Sequence, residues 1–325
     1  MRAERPCGTL TAVSPAEING SRRRSAVVVH PLRVGNLAAY QRRVVAALRR
    51  AGWPEPLWLP TTAEDPGPGQ TRRAVQAGVD VVFVAGGDGT VRACVGELAG
   101  TDVALAVLPA GTGNLLAANL GLGDDVTDGV EIAVRGGRRR IDVGQVGERS
   151  FVVMAGMGFD AKMIGATSER SKAALGWPAY VFGAMRHLRD HPMRVSVRLD
   201  GSKPIRRRAS TVLIGNVGRL QGGVLLLADA QPDDGKLDVA VLTPRSLAHW
   251  WSLGWAVLRR HERVPGMEVF TARKVHVISD RPQPRQLDGD LVEPHRALTV
   301  TVRPRALLLC VPQPADSPDL AEGAP

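Results

Sequence analysis

The stretch Asp80-Val81-Val82-Phe83-Val84-Ala85-Gly86-Gly87-Asp88-Gly89-Thr90 decides the fold. Its first residues form an apolar run ended by glycine, the pattern of a buried strand. Gly86, Gly87 and Gly89 then let the backbone turn sharply and let a ligand approach its N–H groups. The residues that follow suit a helix, whose positive N-terminus favours an anion. Strand, small-residue turn and helix together suit a phosphate chain. An ordinary strand-to-helix turn capped by Asp88 accounts for the same residues. Asp88 would repel phosphate unless a cation such as Mg2+ stood between them. A dinucleotide fingerprint fits poorly, because Arg92 stands where its third glycine belongs.

The same rhythm extends to either side. Residues 25–30, with Val27-Val28-Val29 at their centre, read as a strand. Asn36 can cap a helix running to Arg50, with Leu37, Tyr40, Val44 and Leu48 on one face and Gly52 ending it. A short strand at 56–59, a Pro/Gly loop at 60–69 and a short helix from Gln70 lead back to the quoted strand. Residues 103–108 form the next strand. Pro109-Ala110-Gly111-Thr112-Gly113-Asn114 then makes a second glycine turn before another helix. Alternating strands and helices imply a parallel sheet with helices on both faces. Both turns fall at its carboxyl edge, where two turns can clamp one nucleotide.

From about Gly137 strand patterns dominate, at 140–146, 151–155, 194–199, 210–216, 237–242, 274–279, 298–303 and 306–311. Helices are expected at 173–189 and 246–260. This half reads as a mostly antiparallel β domain. The expected organisation is α/β plus β: an α/β nucleotide-binding domain over 25–137 and a β-rich domain over 138–312, whose last strands can return to the first domain. The ends, 1–24 and 313–325, read as disordered.

The chain carries 42 Lys plus Arg against 32 Asp plus Glu, a net charge of +10 that attracts anionic partners without naming one. No nucleic-acid recognition motif accompanies it. Cys7, Cys94 and Cys310 lie far apart without metal-ligand spacing, as expected in a reducing, cytoplasmic setting. The first 24 residues lack the apolar core of a signal peptide. With no apolar run of about 18 residues, membrane contact is expected to be peripheral. Trp177, Tyr180 and Phe182 beside Lys172 and Arg186, and Trp250, Trp251 and Trp255 before Arg259-Arg260, suit either a bilayer interface or the core.

Two acidic turns come late. In Leu287-Asp288-Gly289-Asp290, Asp288 could take the proton of an attacking hydroxyl, and Asp-Gly equally marks a hairpin. In Pro232-Asp233-Asp234-Gly235-Lys236, clustered acids suit a hard cation bound through oxygen, or a solvated turn.

In this order and spacing, the two glycine turns and two acidic turns resemble the diacylglycerol kinase catalytic-domain family, which includes bacterial lipid kinases and sphingosine kinases, over residues 26–311. The resemblance implies a Rossmann-like nucleotide-binding domain followed by a β-sandwich lipid domain. It implies an ATP-dependent lipid kinase that phosphorylates a lipid hydroxyl, with diacylglycerol giving phosphatidic acid. ATP contacts are implied at Gly86, Gly87, Asp88, Gly89, Thr90, Gly111, Thr112, Gly113 and Asn114, and at Pro31 and Thr62 in the first two loops. Asp288 becomes the proton acceptor, and Asp88 a catalytic residue holding Mg2+ through ATP. A structural Mg2+ is implied at Asp234, with backbone carbonyls of Gln231 and Lys236. The implied partners are ATP, a lipid at the inner membrane face and a second copy of the chain; no nucleic acid is implied. The sequence departs from the family pattern at His30 (Asn), Arg92-Ala93 (Asn-Glu), Leu115 (Asp) and Asp290 (Glu). NAD kinases share the Gly-Gly-Asp-Gly turn, but their Thr-Gly-Ser-Thr-Ala loop has no counterpart here. The other alternative is a catalytically weak protein that binds nucleotide or anionic lipid.

Overall fold

The computed structural model describes residues 23–110, 114–122, 125–158, 192–217, 227, 230–243, 266–312 and 320. The helices expected at 173–189 and 246–260 lie outside these residues, as do Gly111, Thr112 and Gly113.

The first half alternates as expected. β1 (Ser25–Val29), α1 (Leu37–Arg50), β2 (Leu57–Pro60), α2 (Pro68–Gln76), β3 (Val81–Gly86), α3 (Asp88–Leu98) and β4 (Ala104–Pro109) are followed by α4 (Leu115–Asn119) and α5 (Val126–Arg135). The strands pair in parallel in the order β4-β3-β1-β2. β1, β3 and β4 are buried along their whole length, because helices cover both faces of the sheet. Asn36 caps α1 by accepting the Ala39 N–H at 3.0 Å, and Tyr40, Val44 and Leu48 face the core. β2 runs one residue later than expected. It tolerates Pro60 because it is the edge strand. α2 begins at Pro68, ahead of Gln70, since proline suits a first helical turn.

The second half is β-rich. β5 (Gly137–Val146), β6 (Arg149–Phe151), β7 (Met154–Gly158), β8 (Met193–Leu199), β9 (Ile205–Ala209), β10 (Thr211–Gly215), β11 (Leu237–Leu242), β12 (Met267–Ala272), β13 (Lys274–Leu287) and β14 (Asp290–Val311) pair antiparallel with one another. Inward residues such as Val195, Val197, Val275, Val277, Leu298 and Val300 form one core between layers.

Three expectations change. The strand at 151–155 is two strands, β6 and β7, broken at Val152-Val153. The segments at 298–303 and 306–311 belong to one strand, β14, bent at a register shift between Arg303 and Leu307 where Arg305 has φ +49°. Beyond that bend β14 runs parallel to β4, pairing Leu309 with Leu105. The end of the chain thus completes the first sheet. β9 and β12 were not expected at all.

Candidate active site

β3 ends at Gly86 and α3 begins at Asp88, so Gly87 alone carries the chain from strand to helix. At Gly86 a Cβ would stand 2.7 Å from Thr90 Cβ, which forces glycine and packs the first turn of α3 against the strand end. Around Gly87 a Cβ would meet nothing within 4 Å. The helix N-terminus therefore opens at the carboxyl edge of the parallel sheet, which suits an anion. Asp88 Oδ1 accepts the Leu115 N–H at 2.5 Å, tying this turn to the helix after the second glycine loop. Asn114 precedes that helix in the left-handed region, φ +43°, and its side chain makes no capping bond.

Leu287 pairs with Asp290 across a two-residue hairpin, and Asp288 and Gly289 both have positive φ, +46° and +84°. That is the primed geometry an Asp-Gly pair favours. The hairpin reading is therefore right for the backbone. The Asp288 side chain does more. It is buried, with Oδ2 accepting Val152 N–H and Oδ1 accepting Val153 N–H and Met154 N–H, each at 2.8 Å. Those three donors are what break the strand expected at 151–155: at Val152 and Val153 they serve a carboxylate instead of a ladder. Burial pushes the Asp288 carboxyl up to about 6, against the pull of the three N–H groups and, more weakly, of Arg92. Asp88 is pushed up to about 7, first by burial and then by the charges of Asp288 and Asp290, against the hydrogen bond from Leu115. The two aspartates, far apart in sequence, thus share one electrostatic environment.

Asp290 completes the group. Its carboxylate receives Arg92 Nη2 at 2.9 Å and lies 2.8 Å from where a Gly89 Cβ would stand. Arg92 entered the sequence reading only as a departure from a pattern. No local signal links positions 92 and 290.

Pro31 and Thr62 follow β1 and β2 at the same carboxyl edge. The loop holding Thr62 closes on itself: its Oγ1 accepts Asp65 N–H at 3.1 Å, and its N–H donates to Asp65 O at 3.0 Å.

The second acidic turn lies apart from this group. Gln231, Asp234 and Lys236 are exposed, and Asp234 Oδ1 accepts the Lys236 N–H at 2.8 Å. Asp233 is held by Arg139 through Nε and Nη2, both at 3.0 Å. Behind the turn sits Asp142 of β5, buried and missed in the sequence. It accepts the N–H of Gly235 and of Arg305 at 2.6 Å each, and its own N–H donates to Pro232 O at 2.6 Å. Burial pushes the Asp142 carboxyl up, and Asp234 and Asp233 add to the effect. Asp142 so pins the turn to the bend of β14. Among the described residues no three His, Cys, Asp or Glu side chains converge as a metal site. No helix among them is long and apolar enough to cross a membrane.

The diacylglycerol kinase catalytic domain matches residues 26–146, and the YegS C-terminal NAD kinase beta sandwich-like domain matches residues 152–311. A Pseudomonas aeruginosa protein named "Probable lipid kinase YegS-like" is 34% identical over 313 residues, which cover 91% of this chain and 96% of the relative. The crystal structure of a diacylglycerol kinase from Bacillus anthracis superposes with a TM-score of 0.70 at 22% identity, covering 89% of this chain and 96% of that one. An NAD kinase from Archaeoglobus fulgidus, solved with ATP, is more distant, with a TM-score of 0.51 at 14% identity, covering 89% and 94%. The two structural likenesses are likenesses of fold.

Proposed function

We propose, for a chain that belongs to the diacylglycerol kinase catalytic-domain family, that it is an ATP-dependent lipid kinase acting on diacylglycerol. One observation carries this reading. The β13–β14 hairpin docks on the nucleotide turn through Asp290, which reaches Gly89 and Arg92, and so brings the buried Asp288 beside that turn; with its carboxyl pushed up only to about 6, Asp288 can accept a proton at neutral pH.

The reaction follows from that placement. The lipid hydroxyl loses its proton to Asp288 as its oxygen attacks the γ-phosphorus of ATP. The bond from that phosphorus to the bridging oxygen breaks, and ADP leaves with the electron pair. Gly87 leaves open space for the phosphates to approach the backbone, Gly86 and Gly89 keep the turn close against Thr90 and Asp290, and Thr90 with the start of α3 supplies donors and positive potential. Gly111, Thr112, Gly113 and Asn114 of the second glycine turn, with Pro31 and Thr62 of the first two loops, are the further nucleotide contacts of this reading. Residues 25–137, completed by the end of β14, form the nucleotide-binding domain, and the rest of 138–312 the lipid-binding domain. The enzyme works on lipid at the inner membrane face.

The residues fit Mg2+ in two places. At Asp88, burial and then the charges of Asp288 and Asp290 disfavour the carboxylate, a penalty that a divalent ion carried by ATP would relieve. Bound there, Mg2+ would neutralise charge on the transferring phosphoryl group. At the second acidic turn, Asp234 is exposed and uses only Oδ1 among the described residues, so its other oxygen can join the carbonyls of Gln231 and Lys236 around a structural ion.

The test is phosphate transfer from γ-labelled ATP to diacylglycerol in mixed micelles, beside a parallel reaction with NAD. Labelled phosphatidic acid is expected. Label in NAD and in no lipid overturns the reading in favour of the NAD kinase alternative.

A further inference from the structure

Arg92 is unexplained by the reaction as written. It sits one helical turn beyond Asp88 on α3, so the two side chains share a face of that helix. The opposite wall of the site is the hairpin carrying Asp288 and Asp290. Three carboxylates gather here, and Arg92 pairs with one of them, Asp290, and lowers the carboxyl of another, Asp288. A triphosphate brings further negative charge into this group.

The bonding of Arg92 is incomplete. Its side chain is 20% exposed, and one bond, from Nη2 to Asp290, is its ion pair. Asp290 is 43% exposed, and a single-bond pair of that kind adds little to stability. Meanwhile Arg92 Nε is buried with no hydrogen-bond partner among the described residues. A buried N–H without an acceptor is costly and calls for an explanation. An arginine fixed at one nitrogen and unsatisfied at another is poised for a second anion. The guanidinium fork matches phosphate oxygens in geometry and charge.

We propose that Arg92 is a phosphate-binding residue of this site: Asp290 holds its guanidinium through Nη2, and the remaining N–H groups take the γ-phosphoryl group of ATP. Arg92 thereby supplies from the chain itself the positive charge that three carboxylates deny to the transferring group. This rests on the kinase reading above, and it assigns a role to a residue that departs from the family pattern. It also makes Arg92 a determinant of triphosphate over diphosphate, since ADP has no γ-phosphoryl group to meet it.

The experiment is calorimetric titration of wild type, Arg92→Gln and Arg92→Lys with the Mg2+ complexes of a non-hydrolysable ATP analogue and of ADP. Thermal unfolding checks each variant. Arg92→Gln is expected to weaken the triphosphate about tenfold while ADP affinity stays within about twofold. Arg92→Lys is expected to recover part of the loss, because it keeps the charge without the fork. Should Arg92→Gln fail to fold, Arg92→Lys carries the test, with an expected loss of about threefold for the triphosphate alone. Equal weakening of both nucleotides, or no change in either, overturns the proposal and leaves the kinase reading standing. A wild type that binds neither nucleotide overturns both.

Discussion

Replacing Asp288 by Asn should separate the chemistry of the site from its stability. The wild-type carboxylate accepts three backbone N–H groups, from Val152, Val153 and Met154, each at 2.8 Å. An amide of the same shape turns one of its two polar ends into a donor, which then faces an N–H. That conflict costs about 1–3 kcal/mol. Against it stands the cost of ionising a buried carboxyl near 6 instead of 3.8. At pH 8 this is about 3 kcal/mol, and the amide does not incur it. The two effects nearly cancel, so the Tm at pH 8 should move by no more than about 5 °C. The rate should not be spared. Loss of a positioned proton acceptor lowers kcat by about 10²–10⁴-fold. Affinity for an ATP analogue should stay within about threefold, because the proposed nucleotide seat is α3 and its turn. Steady-state kinetics, titration and thermal unfolding on one preparation make the comparison. A kcat within about fivefold of wild type would refute the assignment. So would lost nucleotide affinity with kcat intact.

Other consequences follow from the same contacts. In wild type, kcat should fall as pH drops through about 6, where Asp288 takes up a proton, and a rate flat from about pH 5 to 8 contradicts this. Asp88 ionises near 7 in the fold instead of 3.8, so its contribution to stability is present at low pH and lost as pH rises through 7. Asp88→Asn should therefore raise the Tm relative to wild type above pH 7 and leave it unchanged near pH 4; the opposite order counts against the site geometry. Gly89→Ala places a Cβ 2.8 Å from Asp290 Oδ2 and should displace the Arg92–Asp290 pair. Its effect on nucleotide affinity should vanish in an Asp290→Ala background, and full additivity of the two changes speaks against the contact. Asp142→Ala strands the N–H groups of Gly235 and Arg305 and should cost about 2–5 kcal/mol in urea unfolding. A loss below about 1 kcal/mol means that the turn is held by something else.

What could be read in the sequence was what one segment states alone. The strands at 25–29 and 81–86 are apolar runs ended by polar or glycine residues, and the Asn36 cap needs only its own neighbours. β9, Ile205–Ala209, escaped notice because three arginines in a row hide an edge strand. β13 runs past the expected 274–279 to Leu287, with Pro282 and Pro284 in a bulged stretch of the ladder that tolerates them. The break at Val152-Val153 cannot be inferred locally, because its cause is a carboxylate 135 and 136 residues away. For the same reason the Arg92–Asp290 pair, 198 residues apart, and the role of Asp142 came only from the fold. Asp88 and Asp288 were legible as types of residue in types of turn. Only the family resemblance set them at one reacting group; no local pattern joins the two turns.

The most direct measurement is a crystal structure of the protein with the Mg2+ complex of a non-hydrolysable ATP analogue. The account predicts phosphates along Gly86–Thr90, with the γ-phosphoryl group between Asp88 and Asp288 and within hydrogen-bonding distance of Arg92. A nucleotide bound elsewhere, or one whose γ-phosphoryl group points away from Asp288, would contradict it.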